Sequence, residues 1–378
     1  MNENWTCKKL GDVCDILDSK RKPITKRDRK PGNIPYYGAT GIQDYVSDFI
    51  FDGRFLLVGE DGAKWGKNDN TAYIIEGKSW VNNHAHILKM HNEVIDAYVR
   101  YFLNGKDLNN YITGAIVQKL TQAALASISI PIPSIAIQSR IVSELDLLQS
   151  IIDKQKAQLK ELDNLAQSIF YDMFGNPVEN EKGWEVKKLG DFCSKIGSGA
   201  TPRGGNESYK SEGVSLIRSL NVHNNAFIYK DLAFIDEEQA QALSNVEVQL
   251  NDILLNITGA SVARCCIVPN QLLPARVNQH VCIIRPSKDA EVRFLSRLLT
   301  NSQYQVFLID LARGKAATRE ALPKNIVEGL PIILPPLSLQ QSFAQKIKDI
   351  ERQRDLINQS IREARTLFDS RMEYYFGE

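Results

Sequence analysis

Residues 134–175 read SIAIQSRIVSELDLLQSIIDKQKAQLKELDNLAQSIFYDMFG, and this stretch decides the fold. From Ile141 the apolar or neutral residues Leu145, Leu148, Ile152, Gln155, Leu159, Leu162, Ala166, Ile169 and Met173 alternate in steps of four and three, the seam of a coiled coil. Adding 202 to these positions gives Phe343, Ile347, Ile350, Arg354, Ile357, Ile361, Ala364, Phe368, Arg371 and Tyr375. A second helix therefore carries the same seam with its polar interruptions moved. A polar seam residue costs stability but restricts partner and register, and Gln155 and Arg354 fall in different layers. The two helices read as written for each other, each of about 38 residues and on the order of 55 Å long.

Working outward, the rest of the chain is also written twice. KKLGDVC at residues 8–14 returns as KKLGDFC at 187–193, with Trp5 and Trp184 ahead of them at the same offset of 179. VNNHAHIL at 81–88 returns as VNQHVCII at 277–284. PSIAIQ at 133–138 returns as PPLSLQ at 335–340, and the offset of 202 then holds without a gap through Phe174-Gly175 and Phe376-Gly377. Insertions are confined to the variable blocks, as loops tolerate them and helices do not. Short runs such as FLLVGE, DILLNITG and ARCCIVP, broken by Gly, Asn and Asp, read as strands beside helical stretches. The expected fold class is α+β: one block at residues 1–133 with a helix at 134–175, a second at 176–332 with a helix at 333–378.

Composition excludes several functions. Of 378 residues, 46 are Lys or Arg and 45 Asp or Glu, so a net charge of +1 rules out polyanion binding by bulk charge. Any nucleic-acid surface must be local. No window approaches 18 apolar residues and the first dozen residues lack an apolar core, so a cytoplasmic chain without membrane contact is expected. Six cysteines without a CxxC pair predict buried, reduced thiols.

The local positive charge is legible. DSKRKPITKRDRKP at residues 18–31 holds seven Lys or Arg against two Asp, with prolines that oppose a helix. Lys20, Arg21, Lys22, Lys26 and Arg27 in this loop, with Arg203 and Lys315 in the second block, are the candidate phosphate contacts. The second block's IGSGATPRGGNESYKSEG does not match a nucleotide-binding P-loop. Loops around Thr40, Gln43, Lys64, Asn82, Thr201, Arg218, Asn221, Arg264, Asn278 and Gln279 hold candidate base readers. Arg matches guanine O6 and N7, and Asn or Gln matches adenine N6 and N7.

This layout resembles the specificity subunit of type I restriction-modification systems. The resemblance covers essentially the whole chain and rests on the WxxxKLGDxC starts at Trp5 and Trp184, SGATP at residues 198–202, YYGATG, WVNNHAH, and the paired helix starts and ends. It implies two target-recognition domains, each reading one half of a split DNA sequence. It also implies that the long helices pair as an antiparallel coiled coil that fixes the spacing. Catalysis would reside elsewhere: in two methyltransferase subunits carrying S-adenosylmethionine, and in motor-nuclease subunits using ATP and Mg. The expected chain is a non-catalytic DNA-binding subunit without a cofactor of its own. Phe170, Phe174, Leu367 and Phe376, off the heptad, are candidates either for docking those partners or for closing the ends of the coil.

Three other readings compete. Asp61 or Asp69 with Glu76-Gly77-Lys78 has the residue types of a metal-dependent nuclease, although Glu76-Gly77-Lys78 reads better as a turn closing a strand. His84 with His86, or Cys265, Cys266, His280 and Cys282, offer metal-ligand types, but an aligned Asn-x-His can instead brace a loop. A protein-binding coiled-coil scaffold would explain the seam without explaining two polar, basic-looped domains.

Overall fold

Two uninterrupted helices, Ile135–Phe174 and Leu337–Phe376, occupy the segments that carry the heptads. The computed structural model describes residues 5–202, 204–314 and 320–377. Arg203 and Lys315, expected on the phosphate, lie outside the described residues. The chain forms two units: Met1–Ala157 with Ile357–Glu378, and Gln158–Leu356. Each helix thus gives its residues partly to one unit and partly to the other.

In the first unit the seam residues Ile141, Leu145, Leu148 and Ile152 are buried against Phe368, Met372, Tyr375 and Phe376. Glu144 binds Arg371 and Gln155 donates to Ser360, so higher numbers on one helix meet lower numbers on the other. The pairing is antiparallel. The second unit repeats it, with Asp163 on Arg354 and Phe170 edge-on to Phe343 at 5.7 Å. Phe343, Ile347 and Ile350 are buried there, whereas Leu159, Leu162, Ile169, Ile357 and Ile361 keep part of their surface in solvent. A two-helix seam with no third layer leaves its flanks open, which explains that difference.

The first domain is a six-stranded sheet in the order Cys14–Ile16, Ala85–Met90, Phe51–Gly59, Ala72–Val81, Pro31–Gly38, Gly41–Val46, with helix Asp96–Gly105 packed on it. Its counterpart in the second unit splits into a four-stranded sheet, Cys193–Ser198, Val281–Pro286, Ile253–Asn256 and Cys265–Ile267, and a three-stranded one, Ala233–Ile235, Val214–Ile217 and Ala275–Val277. Both keep one parallel pairing at the same place in the repeat, Tyr36 with Trp80 and Leu216 with Arg276.

The repeated glutamine of PSIAIQ and PPLSLQ ties helix to domain. Gln138 is fully buried, accepting from Ile95 N at 2.9 Å and donating to the carbonyls of Glu93 and Pro133. Gln340 accepts from Glu291 N at 2.9 Å and donates to Pro335 O. A buried amide so bound is held firmly, because leaving its backbone partners unpaired costs about 1–3 kcal/mol.

The structure decides one open alternative and corrects two expectations. Phe170, Phe174 and Phe376 are buried in the cores of their own units, so they close the packing; Leu367 alone of that set is exposed. Glu76-Gly77-Lys78 does not close a strand: Ala72–Val81 runs through it, and Gly77 (φ +82°) pairs with Gly53 (φ +139°) as a kink. Cys7 is exposed and Cys193 half-buried, against buried Cys14, Cys265, Cys266 and Cys282.

Candidate nucleic-acid interface

At one rim of the first sheet a turn, a hairpin and two loops are stitched together by backbone hydrogen bonds. Asn82 N donates to Tyr37 O (3.0 Å), and Asn82 Oδ1 accepts from His84 N (2.8 Å). Glu60 N then donates to His84 O (2.9 Å) and Leu120 N to Glu60 O (2.8 Å), while Asp61 forms a β-bridge with Lys119. The second domain repeats this bond for bond. Asn278 N meets Ile217 O (3.0 Å), His280 N meets Asn278 Oδ1 (3.0 Å), Ile257 N meets His280 O (3.0 Å), Leu322 N meets Ile257 O (2.8 Å), and Thr258 bridges to Ala321. The Asn-x-His motif is therefore a loop brace. Asn82 and Asn278, expected as base readers, are 6% and 5% exposed and spend their carbonyls on that turn.

The histidines they position face outward, and the sequence reading did not place them on DNA. His84 is half-exposed with Nδ1 on Asp61. His280 Nδ1 meets Thr258 Oγ1 at 2.6 Å, and its Nε2 accepts from Gln279 Nε2 at 3.1 Å. Thr201 in turn donates to Gln279 Oε1, so four side chains from three loops form one hydrogen-bonded run. The signal was present in the sequence as the repeated Asn-x-His, with Asp61 and Thr258 in reach only after folding.

Beneath the first rim lies the cluster Asp18, Glu60 and His86, the one group with metal-ligand geometry among the described residues. Its charges are met by Arg21 on Glu60 and Asp18 and by Lys119 on Glu60 at 2.6 Å, and the His86 ring lies between Asp18 and Leu120 O (2.7 Å). Burial pushes the Glu60 carboxyl up, but Lys119 and Arg21 outweigh it and hold the group below its ordinary value. In the second domain Ile257, Cys282 and Leu322 stand at the places of Glu60, His86 and Leu120, an apolar version of the same support. Cys265 and Cys266 lie in different cores, so the cysteines and His280 do not converge.

The basic loop divides. Lys20, Lys22, Lys26 and Arg27 are exposed, whereas Arg21 turns inward, also donating to Ala85 O at 2.9 Å. The expectation that Arg21 grips phosphate is corrected: its guanidinium is the counter-charge of the buried carboxylates. Thr40, Gln43 and Lys64 are exposed on the first rim. A Cβ on Gly38 would sit 2.8 Å from Gln43 Cγ and 3.1 Å from Asn82 Nδ2, so this glycine makes room for both. Across the second rim, Gly199 passes so close to Val277 O that a Cβ would lie 1.7 Å from it.

Asn221 is also corrected. It is fully buried, with Oδ1 on Arg218 N (3.1 Å) and Nδ2 on Ile228 O (2.8 Å), which leaves it no edge to offer a base. Arg218 is half-buried over the Tyr209 ring and donates to Asp231 O. Arg264 is half-buried, and Thr201 and Gln279 stand on the rim as described. The nuclease reading finds no assembled site: Asp61 is on His84, Asp69 caps Gly66 N at 2.8 Å, and Glu76 faces Arg54.

A family model described as the type I restriction modification DNA specificity domain matches residues 2–164 and 181–365. A putative type I restriction enzyme specificity subunit of Haemophilus influenzae is 37% identical over 144 residues, 38% of this chain and 37% of that protein's length. The type I restriction enzyme MjaIX specificity subunit of Methanocaldococcus jannaschii is 25% identical across 92% of this chain and 87% of its own. Among solved structures, the S subunit of a type I restriction-modification system from M. genitalium superposes with a TM-score of 0.64 at 13% identity, covering 100% of this chain and 97% of that one. Among the described residues no helix is long and apolar enough to cross a membrane.

Proposed function

The chain belongs to the type I restriction-modification DNA specificity family, and from that premise we propose that its two domains each read one half of a divided DNA target. It is a specificity subunit, and its curated relatives carry that name and not that of a catalytic subunit. The observation that carries the finer reading is the duplicated rim. A brace of identical bonding is built twice, and apart from the shared histidine the polar side chains around it differ: Asp61, His84, Gln43 and Lys64 in one copy, Thr258, His280, Gln279 and Thr201 in the other. Constant support under variable polar groups is what two readers of different half-sites require.

Exposed Lys20, Lys22, Lys26 and Arg27 would neutralise phosphates beside the first half-site. Two helices of 40 residues, about 60 Å at ~1.5 Å per residue, are long enough to hold readers one or more turns of DNA apart. Two quasi-equivalent halves suit two methyltransferase copies, which would supply S-adenosylmethionine, with ATP and Mg used by motor-nuclease subunits in the cytoplasm. A chain of this construction needs no cofactor of its own.

The test is co-purification with the methyltransferase encoded beside it, followed by single-molecule sequencing of adenine methylation with and without the chain. A two-part motif that depends on the chain supports the reading. Unchanged methylation and no complex would favour a protein-binding coiled-coil scaffold instead.

A further inference from the structure

Within the second unit, helix Val292–Leu299, the turn that follows it and the two long helices enclose a cavity of about 210 Å³ lined by Asp163, Gln167, Arg297, Thr300, Asn301 and Arg354. We propose that this cavity is a binding site for a small oxyanion of the phosphate class, held by the Arg297 guanidinium and the Asn301 side-chain amide. This assignment is independent of how the rims read DNA.

Three observations carry it. First, Arg297 is a cation without a counter-ion. Among the described residues its guanidinium has no hydrogen-bond or ion-pair partner, and the acids closest to it are already engaged, Asp163 by Arg354 and Glu351 by Arg293 at 3.0 Å. Burial, the largest influence on it, pulls its proton affinity below the usual arginine value; Glu351 and Asp163 oppose that, and Arg354 and Arg293 add to it. Arg297 is half-buried, and a partly desolvated charge left this way gains from an anion that completes it.

Second, Asn301 presents a donor with nothing to receive it. The residue is 2% exposed, and its Oδ1 accepts from Gln303 N at 3.0 Å, Tyr304 N at 3.4 Å and the Tyr171 hydroxyl at 3.2 Å. Those donors fix the amide's orientation, since a flip would set an NH2 against two N–H groups. Nδ2 is left buried and unpaired. Such orphans are rare in folded proteins because they forfeit about 1–3 kcal/mol.

Third, the fold itself does not call for a cation here. Ile95 N on Gln138 and Glu291 N on Gln340 are equivalent bonds, giving offsets of 196 (291 − 95) and 202 (340 − 138). By these offsets Arg297 stands where the first unit has Tyr101, whose hydroxyl is spent on Asp146 at 2.6 Å, and Arg354 where it has Ile152. The planar Arg297 guanidinium and the Asn301 amide N–H line one cavity, where Asp163 is already neutralised by Arg354, and this pair of donors suits an oxyanion and repels a metal ion.

The test is thermal unfolding of the full-length chain in potassium phosphate against potassium chloride at equal ionic strength, with Arg297→Met and Asn301→Asp. Aspartate caps a helix as well as asparagine does, so Asn301→Asp keeps the helix start at Ser302 while replacing the donor by a carboxylate. The wild-type midpoint is expected to rise saturably with phosphate, as for any ligand of the folded state. Both variants should start at a higher midpoint and show no phosphate response. An unchanged phosphate response in either variant, or no saturable rise in wild type, overturns the proposal. A response to acetate without one to phosphate overturns the phosphate class. Should Arg297→Met fail to fold, Asn301→Asp decides.

Discussion

Gln279 Nε2 lies 3.1 Å from His280 Nε2, so the imidazole accepts there and carries its proton on Nδ1, toward Thr258. With Thr201 on the other end of the amide, Gln279 is held before any DNA arrives. On the proposed reading, its remaining amide hydrogen and lone pair would meet the N6 and N7 edge of an adenine.

Replacing Gln279 by Ala is therefore expected to relax one position of one half-site, at ~1–3 kcal/mol, and leave the other half-site as it was. His280→Ala should give a weaker version of the same relaxation by freeing the amide. Methylation motifs sequenced from cells carrying each variant measure both, and an equal loss at every position would remove Gln279 from the readers.

Arg21 and Lys22 are neighbours in one basic run, yet they should behave differently. Lys22→Ala should leave stability unchanged and lower the salt slope of DNA binding by about 1 unit. Arg21→Ala removes one of the groups that hold Glu60 and Asp18, which keep Lys119 and His86, and should cost about 1.5–3 kcal/mol of stability, as losing hydrogen bonds to charged groups does. Urea titrations and binding assays across salt concentrations separate them; a stable Arg21→Ala with a reduced slope would restore Arg21 to the phosphate.

Gly199→Ala would press a Cβ against Val277 O, and backbone cannot step aside as a side chain can. Overpacking of this kind costs about 1–3 kcal/mol, and it should displace the loop that holds Thr201. Gly197→Ala, two residues earlier with nothing within 4 Å of the added carbon, is the matched control. If both variants bind DNA like wild type, Gly199 is dispensable to the rim.

The Glu144 carboxyl is held below its ordinary 4.5, first by the hydrogen bond from Arg371 and also by the Tyr375 hydroxyl. A group depressed in the folded state stabilises it above pH ~4.5 and loses that contribution as pH falls through the lowered value. Glu144→Gln is thus expected to flatten the acid side of the stability curve below pH ~4.5. Because both partners are partly exposed, the loss at pH 7 should be about 0.5 kcal/mol. An acid limb identical to wild type would mean the pair contributes nothing.

How much of this could be read from the chain depends on periodicity. The long helices were legible because a four-three alternation over some ten layers has one physical solution, and the duplication because its words recur at fixed offsets. The rim was half legible. Asn82 and Asn278 were visible as a repeated pair, but whether an asparagine reads a base or ties a turn depends on where its side chain points, which no spacing encodes. Arg21 and Asn221 were misplaced for that reason: residue type gives donors and acceptors, and only packing tells which are already spent. Phe170 and Phe174 fell off the heptad because the domain helix at Val292–Leu299, a third surface, claims that face.

The first unit takes its last pieces from far along the chain. Tyr98 and Phe102 pack edge-on against Phe376 at 5.4 and 5.9 Å, across 278 residues in the first case (376 − 98). The second unit needs nothing beyond Leu356. During synthesis, then, the domain made first is the one finished last. It must wait with the apolar face around Tyr98, Tyr101 and Phe102 uncovered while the ribosome makes the whole of the other. That interval is when the nascent chain is most exposed to misassociation and to chaperones, and a slow-translating or truncated message would show its damage at the amino-terminal domain.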